Sequence, residues 1–511
     1  MNTMLTLARS ENQVRLLAQY ALDFLGGKFA EPADTVYRRV EAFHLDSVAC
    51  GVSALACGTN APRILRDEAL EFAIGKDSPI RGVPCFGSTV AVVPEKAVVA
   101  NSSAVREWDS NGTNFGYDPA RGHTAGEFGH NDFYPVAVAA AQLAGYDGRR
   151  TLKAMLLLDE IRGRLAEVFS LKTYKIDHVV HGAIASAITY GAALGATVDQ
   201  IESAVGLVVA HYIPFRAIRH GKQLSDSKGA SAAISSEVAV LSMRRAMKGF
   251  IGPADIFRNA EAIFCLFEKP AKKGESPFDL VVAADGEDFT IMGMHFKLGL
   301  YEHQSAGAIQ GLIDLLVRNP SALEDEARIK RIGITIYEPA FSIIGDPAKR
   351  DPRTRQSADH SMVYIIATLL RKALERKRAG WEELMLVPDD YGDAALANPT
   401  TRRLIDKIDF RHGGRDYDER YPDGIPTSIE IECADASGHA QKLDSGLVMY
   451  PEGHARNTSG NLERLLKHKF QLLASLGVAE PDALYRRFTD LRAKSAAEIA
   501  GLYDFRIRGV V

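Results

Sequence analysis

The feature that most constrains this chain is a set of stretches too apolar to lie at a surface. Residues 133–145, 179–196 and 229–242 are rich in alanine and valine. Helices apolar on most faces pack in the centre of a helical body, and many alanines let neighbouring helices approach closely. Val14, Leu17, Tyr20, Ala21, Phe24 and Leu25 recur at helical spacing, and Gly26-Gly27 ends that run. Asp34 or Thr35 is expected to cap the next helix, which carries Val36, Val40 and Phe43 toward Val48 and Leu55. Residues 1–270 therefore read as a helical main domain.

The pattern changes near residue 270. Glu268-Lys269-Pro270 through Gly274-Glu275-Ser276-Pro277 reads as a linker. Beyond it Ile332, Ile334 and Ile336 alternate with Gly333 and Thr335, and Ile429, Ile431 and Cys433 alternate with Glu430 and Glu432. Ala434 to Gly438 turns the second strand back. Between these strands lie helical patterns through Ala306–Leu316 and Met362–Leu370, and from about 460 the chain is helical again. The predicted fold is mainly α. A helical main domain spans 1–270, a smaller α+β domain spans 278–448, and C-terminal helices of 449–511 return to the main domain. A chain of 511 residues exceeds one compact core, and a cleft between two domains is a favoured small-molecule site.

Composition narrows the function. A net charge of −4 and a pI near 6.4 argue against a nucleic-acid partner. The five cysteines contain no CxxC pair, which speaks against a disulfide framework, a zinc ribbon or an ordinary iron–sulfur cluster. No apolar run reaches bilayer length, and Met1–Arg9 has no charged lead before its apolar part. A cytoplasmic protein with no membrane partner is expected.

Several segments carry candidate chemistry. His130 lies in Gly126-Glu127-Phe128-Gly129-His130-Asn131-Asp132, directly before the apolar run at Tyr134. A histidine in a glycine-rich loop at a helix start suits proton transfer, although a capping histidine reads similarly. Upstream stands the polar cluster Glu107-Trp108-Asp109-Ser110-Asn111-Gly112. His178, at the start of another apolar helix, reads as a second acid/base or as a structural histidine. His178 and His181 are a weak metal signal with no HExxH pattern, so no metal is expected. The cationic loop Phe215–Lys222 runs through Ser225 to Lys228 into a buried helix. Arg219 and Lys228 there suit a carboxylate or phosphate, and the GxxxxGK loop is absent. Lys297 sits among apolar neighbours at an expected strand end, facing a cleft or water. Tyr337 ends the Ile332–Ile336 strand as a site group or a cross-strand aromatic. Asp359-His360 and His454-Ala455-Arg456 read as caps or site groups.

Taken in order, these segments resemble the MmgE/PrpD family over roughly residues 10 to 480. The resemblance rests on Ala42 to Gly51, Glu107-Trp108-Asp109, Gly129-His130, Glu160 to Leu165, Asp177-His178, Arg216 to Lys228, Phe296-Lys297, His303, Ala358-Asp359-His360 and Tyr450 to Arg456. It implies a helical main domain, an α+β lid domain, a homodimer, and catalysis without metal or organic cofactor. The implied activities are dehydration of 2-methylcitrate, decarboxylation of cis-aconitate and epimerisation of iminodisuccinate, all on small polycarboxylates. The residues matching the family's site are Asp109, His130, His178, Lys228, Lys297 and Tyr337, with Arg219 as a carboxylate anchor. Gly453-His454-Ala455-Arg456 favours the branch that dehydrates 2-methylcitrate. Three departures lie near the implied pocket. The stretch Asn111 to Gly126 is longer than usual, His130-Asn131-Asp132 replaces His-Pro-Ser, and Gly229-Ala230 replaces a tryptophan after the anchoring lysine.

The implied chemistry agrees with the residue types. Removing a proton beside a carboxylate builds charge on an already anionic group, and fixed cations such as Arg219, Lys228 and Lys297 offset it. Elimination needs a base for the C–H and an acid for the leaving hydroxyl, roles assigned to His130 and His178 in either order. Asp109 would orient one of them.

Overall fold

The computed structural model describes residues 3–75, 78–116, 119–123, 127–219, 224–344, 347–435 and 437–510. Gly126 of the glycine loop and His220, Gly221 and Lys222 of the cationic loop fall outside these residues.

The alanine-rich stretches form the centre of a helical body. Every residue of the helix Val179–Ala193 is buried, and it packs between Gly148–Val168 and Asp226–Met247. Asp34–Ala56 buries every residue from Asp46 to Leu55, so its second half is enclosed all round, and the charge of Asp46 within it is paired with Lys469. Gln13–Leu25 forms as its spacing predicts. The expected cap of the second helix is different. Asp34 is itself the first helical residue, and Ala33 holds the capping position with no side-chain bond. Asp34 instead offers its charge to the helix N-terminus and pairs with Arg492 at 2.5 Å. No single helix among the described residues is long and apolar enough to cross a membrane.

The second region is built on a four-stranded sheet. Its order is Ala440–Asp444, Thr427–Ala434, Ile329–Ile336, Ile408–His412. The first two pairings are antiparallel, and the last is parallel, with Ile332 opposite Ile408. A parallel pair needs a long crossover, and the connection here includes the helix Met362–Arg376. Alternation puts Ile332, Ile334, Ile336, Ile429 and Ile431 into the core under the helix Ala306–Arg318. Arg331, Glu432 and Asp409 pair on the outer face.

Residues just past the linker do not join that sheet. Leu280–Ala283 pairs with the N-terminal strand Met4–Leu7, and His295 bridges Thr113. Lys297 follows as irregular backbone rather than at a strand end. The helix Leu462–Gly477 returns to pack along Asp34–Ala56.

Candidate active site

Three helix ends converge on one cavity. Pro94–Arg106 runs antiparallel to Asp226–Met247, with Glu95 against Arg244 and Glu107 beside Gly229. Its last residue, Arg106, thereby meets the first turn that carries Lys228. His178 holds the capping position of Val179–Ala193 beside that turn. Two helix N-termini pointing at one space favour a bound anion. The Arg216–Arg219 turn is pinned to the same place because Asp177 donates its N–H to Pro214 and Arg216 donates to Lys175. Lys297, Glu302, His303, Lys349, Ser357 and His360 close the opposite side.

The cavity has a volume of about 220 Å³. Arg106, Lys172, Arg216, Arg219, Lys228, Lys297 and Lys349 line it, against the carboxylates of Asp109 and Glu302. Further acids stand directly behind the wall and hold these cations in place. Asp177 takes the Arg219 fork, whose Nη2 also donates to Ser231 at 3.0 Å. Asp132 lies 3.2 Å from Arg106 Nε, and Asp359 lies 3.2 Å from Lys228.

Asp109 is the hub of the cavity floor. It accepts from Lys297, lies 2.9 Å from His360 Nε2 and 3.8 Å from Arg106. Burial alone would raise its pKa, but Lys297, His360 and Lys228 hold the carboxyl well below its ordinary range. His360 Nδ1 lies 2.6 Å from Asp359 and 3.1 Å from Lys228 Nζ. Burial pushes Lys228 down to about 8, against the pull of Asp359 and Asp109. Burial also pushes His178 well below its ordinary value; Arg219, Arg162 and Arg106 add to this and Asp177 opposes it. His178 is therefore a neutral imidazole near pH 7. Asp132 behaves oppositely to Asp109, because burial outweighs Arg106 and Arg162 and lifts it to about 6.

Asp109, Asp359 and His360 each offer a ligand atom within 4.8 Å of the others. Those carboxylates already serve the ammonium groups of Lys297 and Lys228. A cation there would have to displace both, so the chemistry of the set is that of an ion-pair cluster.

Of the residues singled out in the sequence, Asp109, His178, Arg219, Lys228 and Lys297 line this cavity. His130 and Tyr337 do not. His130 is fully buried behind the floor. Gly129, at φ 71°, turns the chain into the His130–Phe133 turn. A side chain at Gly112 would come within 2.3 Å of His130 Nε2, so glycine there lets the ring lie against the backbone. His130 Nδ1 faces Asp159 at 2.9 Å, and the Tyr134 hydroxyl donates to the other oxygen of Asp159 at 2.6 Å. Tyr337 is buried and stacks on Tyr421 with centroids 4.4 Å apart. Arg106, Lys172 and Lys349 are lining cations that sequence reasoning missed. Arg106 had a usable signal, as a lone arginine ending a buried helix just before Glu107-Trp108-Asp109. His454 stacks on His295 at 3.9 Å, and His295 on His303 at 5.4 Å, giving a column of three buried rings that reaches the cavity at His303.

Both halves of the chain match one protein family. Residues 15–275 match the MmgE/PrpD N-terminal domain and residues 302–489 the MmgE/PrpD C-terminal domain. The chain is similar to the 2-methylcitrate dehydratase of Salmonella typhi, 23% identical over 445 residues that cover 83% of this chain and 84% of that one. A probable 2-methylcitrate dehydratase of Saccharomyces cerevisiae is 25% identical over 452 residues, covering 84% and 79%. A mitochondrial 2-methylcitrate dehydratase of Yarrowia lipolytica is 25% identical over 452 residues, covering 78% and 82%. With both halves matched in order, the chain belongs to the MmgE/PrpD family.

Proposed function

We propose that this protein is a carbon–oxygen lyase that dehydrates 2-methylcitrate to 2-methylaconitate by acid/base elimination, with no metal or organic cofactor. The observation that carries the reading is that His178 and Lys228 line one cavity with the fixed cations Arg106, Arg216, Arg219 and Lys297, with burial lowering the pKa of both. The substrate carboxylates sit against Arg216, Arg219 and Lys297, which also offset the charge that builds as the C–H bond breaks. His178 takes the proton, the C–H electron pair becomes the new double bond, and the C–O pair leaves with the hydroxyl oxygen. Lys228 gives that oxygen a proton, and water departs. This reading moves the acid from His130 to Lys228 and leaves His130 to hold the loop behind Asp109. A cytoplasmic homodimer is part of the same proposal, with light scattering as the check on the dimer.

One feature favours a second substrate within the same chemistry. Asp132 stands where the dehydratase branch has a serine, and it pairs with the lining Arg106. That changes the charge behind the wall and favours a related polycarboxylate, decarboxylated or epimerised. The test is a panel of 2-methylcitrate, cis-aconitate and iminodisuccinate, run with and without a strong chelator, following unsaturated product and released CO₂. Unsaturated product from 2-methylcitrate, undiminished by chelator, is the expected result. Tight binding of these acids with no turnover of any would overturn the enzyme reading in favour of a binding protein.

A further inference from the structure

One imidazole joins two of the cavity's lysines, Lys228 and Lys297, through their carboxylates. His360 stands between the short helix Arg355–Ala358 and Ser361, whose hydroxyl caps Met362–Arg376. Its Nε2 faces Asp109 at 2.9 Å and its Nδ1 faces Asp359 at 2.6 Å. Carboxylate oxygens only accept, so each contact calls for a hydrogen on the ring nitrogen. A ring with both N–H groups is an imidazolium, and both bonds are then charge-assisted. The same carboxylates are the counter-ions of Lys297 and Lys228. Lys228 Nζ also stands 3.1 Å from Nδ1, a contact between two donors while both groups are charged. Glu302 donates its backbone N–H to the Asp359 carbonyl and its carboxyl feels the ring; Arg355 reaches Asp359 at 3.4 Å.

On the reading that this cavity holds a polycarboxylate, we infer that His360 is a positioning residue. It divides its two N–H groups between Asp109 and Asp359, keeps Asp359 from closing fully on Lys228, and leaves the Lys228 proton available to a bound substrate. Without the ring, Asp359 turns further to Lys228 while Arg355 keeps its other oxygen, a neighbouring positive charge is gone, and the lysine holds its proton to higher pH. Affinity for an anion then survives further into alkali, while turnover falls because the acid is weaker. A residue that only filled space would lower stability without moving that alkaline limb upward.

The test uses His360→Asn and His360→Gln in the full chain. Binding of tricarballylate, an inert tricarboxylate, is followed by calorimetry from neutral to alkaline pH. Wild-type affinity is expected to fall around the Lys228 midpoint near 8. In His360→Asn that midpoint moves up by about one pH unit, with neutral-pH affinity kept within about threefold. Turnover of whichever acid the wild type converts falls about tenfold or more, mostly in kcat. His360→Gln, which keeps one donor, lies between. A midpoint that stays or moves down in variants with wild-type thermal unfolding overturns the assignment. So does NMR of isotope-labelled histidines in the wild type, should the His360 ring carry one hydrogen rather than two at neutral pH. Wild type that binds no tricarballylate at any pH sinks the polycarboxylate reading itself, and this inference with it.

Discussion

His130 and His178 begin from similar sequence and end in opposite settings. Each precedes an alanine-rich helix, and each is buried. Behind His130 stands Asp159, shared with Tyr134. Around His178 stand Arg219, Arg162 and Arg106, with Asp177 largely engaged by Arg219. A carboxylate behind a ring fixes its hydrogen and orientation. Burial, with guanidinium groups around the ring, keeps it neutral with a lone pair open to accept a proton. The lesson is that burial alone assigns no role to a histidine, and the charge of the next shell does.

The sharpest way to break this contrast is to remove each ring. His178→Ala is expected to lower kcat by about 10²- to 10⁴-fold, with the unfolding temperature near that of wild type. Rates within a few-fold of wild type would end its assignment as the base. Next in size is the pH profile of the wild type. Lys228 acts protonated, so activity falls as pH rises through about 8. His178 acts neutral with a depressed pKa, so no loss is expected as pH falls from 7 to 6. An acid limb centred near the ordinary histidine value would show that His178 is not the titrating base.

His130→Ala sharpens the contrast from the other side. It strands the buried Asp159 carboxylate without its ring, costing about 1–3 kcal/mol of stability by denaturant unfolding. Its turnover should fall less than that of His178→Ala, and an equal or larger fall would put His130 back among the reacting groups. Tyr337→Phe keeps the stack on Tyr421 and should change KM by less than about threefold, or under roughly 1 kcal/mol. A larger rise would return its hydroxyl to the substrate.

Much of this was legible in the residues. Alanine-rich runs announced the central helices, because an all-apolar helix has nowhere else to go. The isoleucine alternation announced two strands of the sheet. The strand Ile408–His412 was missed because it is an edge strand with Ile408 buried, Phe410 half-buried and Asp409 and Arg411 pointing out, too short a period to read. Met4–Leu7 was missed for the same reason; its partner lies far along the chain. Asp109, His178, Arg219 and Lys228 stand out in the sequence because polar groups at the ends of buried helices have few places to point; Lys297 stands out as a lysine among apolar neighbours, although its backbone is irregular and not a strand end. Lys172 and Lys349 were not, since half-exposed lysines on short turns look like any solvated lysine until the opposite wall is in place. The side to which His130 faces depends on Gly112 and Phe43, whose contact with the ring is purely tertiary.

The cationic cavity sits in a chain whose net charge is −4. A trianion is therefore repelled by the molecule at long range and attracted by the cavity at short range. At physiological salt the Debye length is about 8 Å, so the distant repulsion is largely screened while the enclosed attraction survives. The encounter rate should then depend on ionic strength in two stages. Rising salt first speeds capture by removing the repulsion, and then slows it as competing anions occupy the cavity mouth.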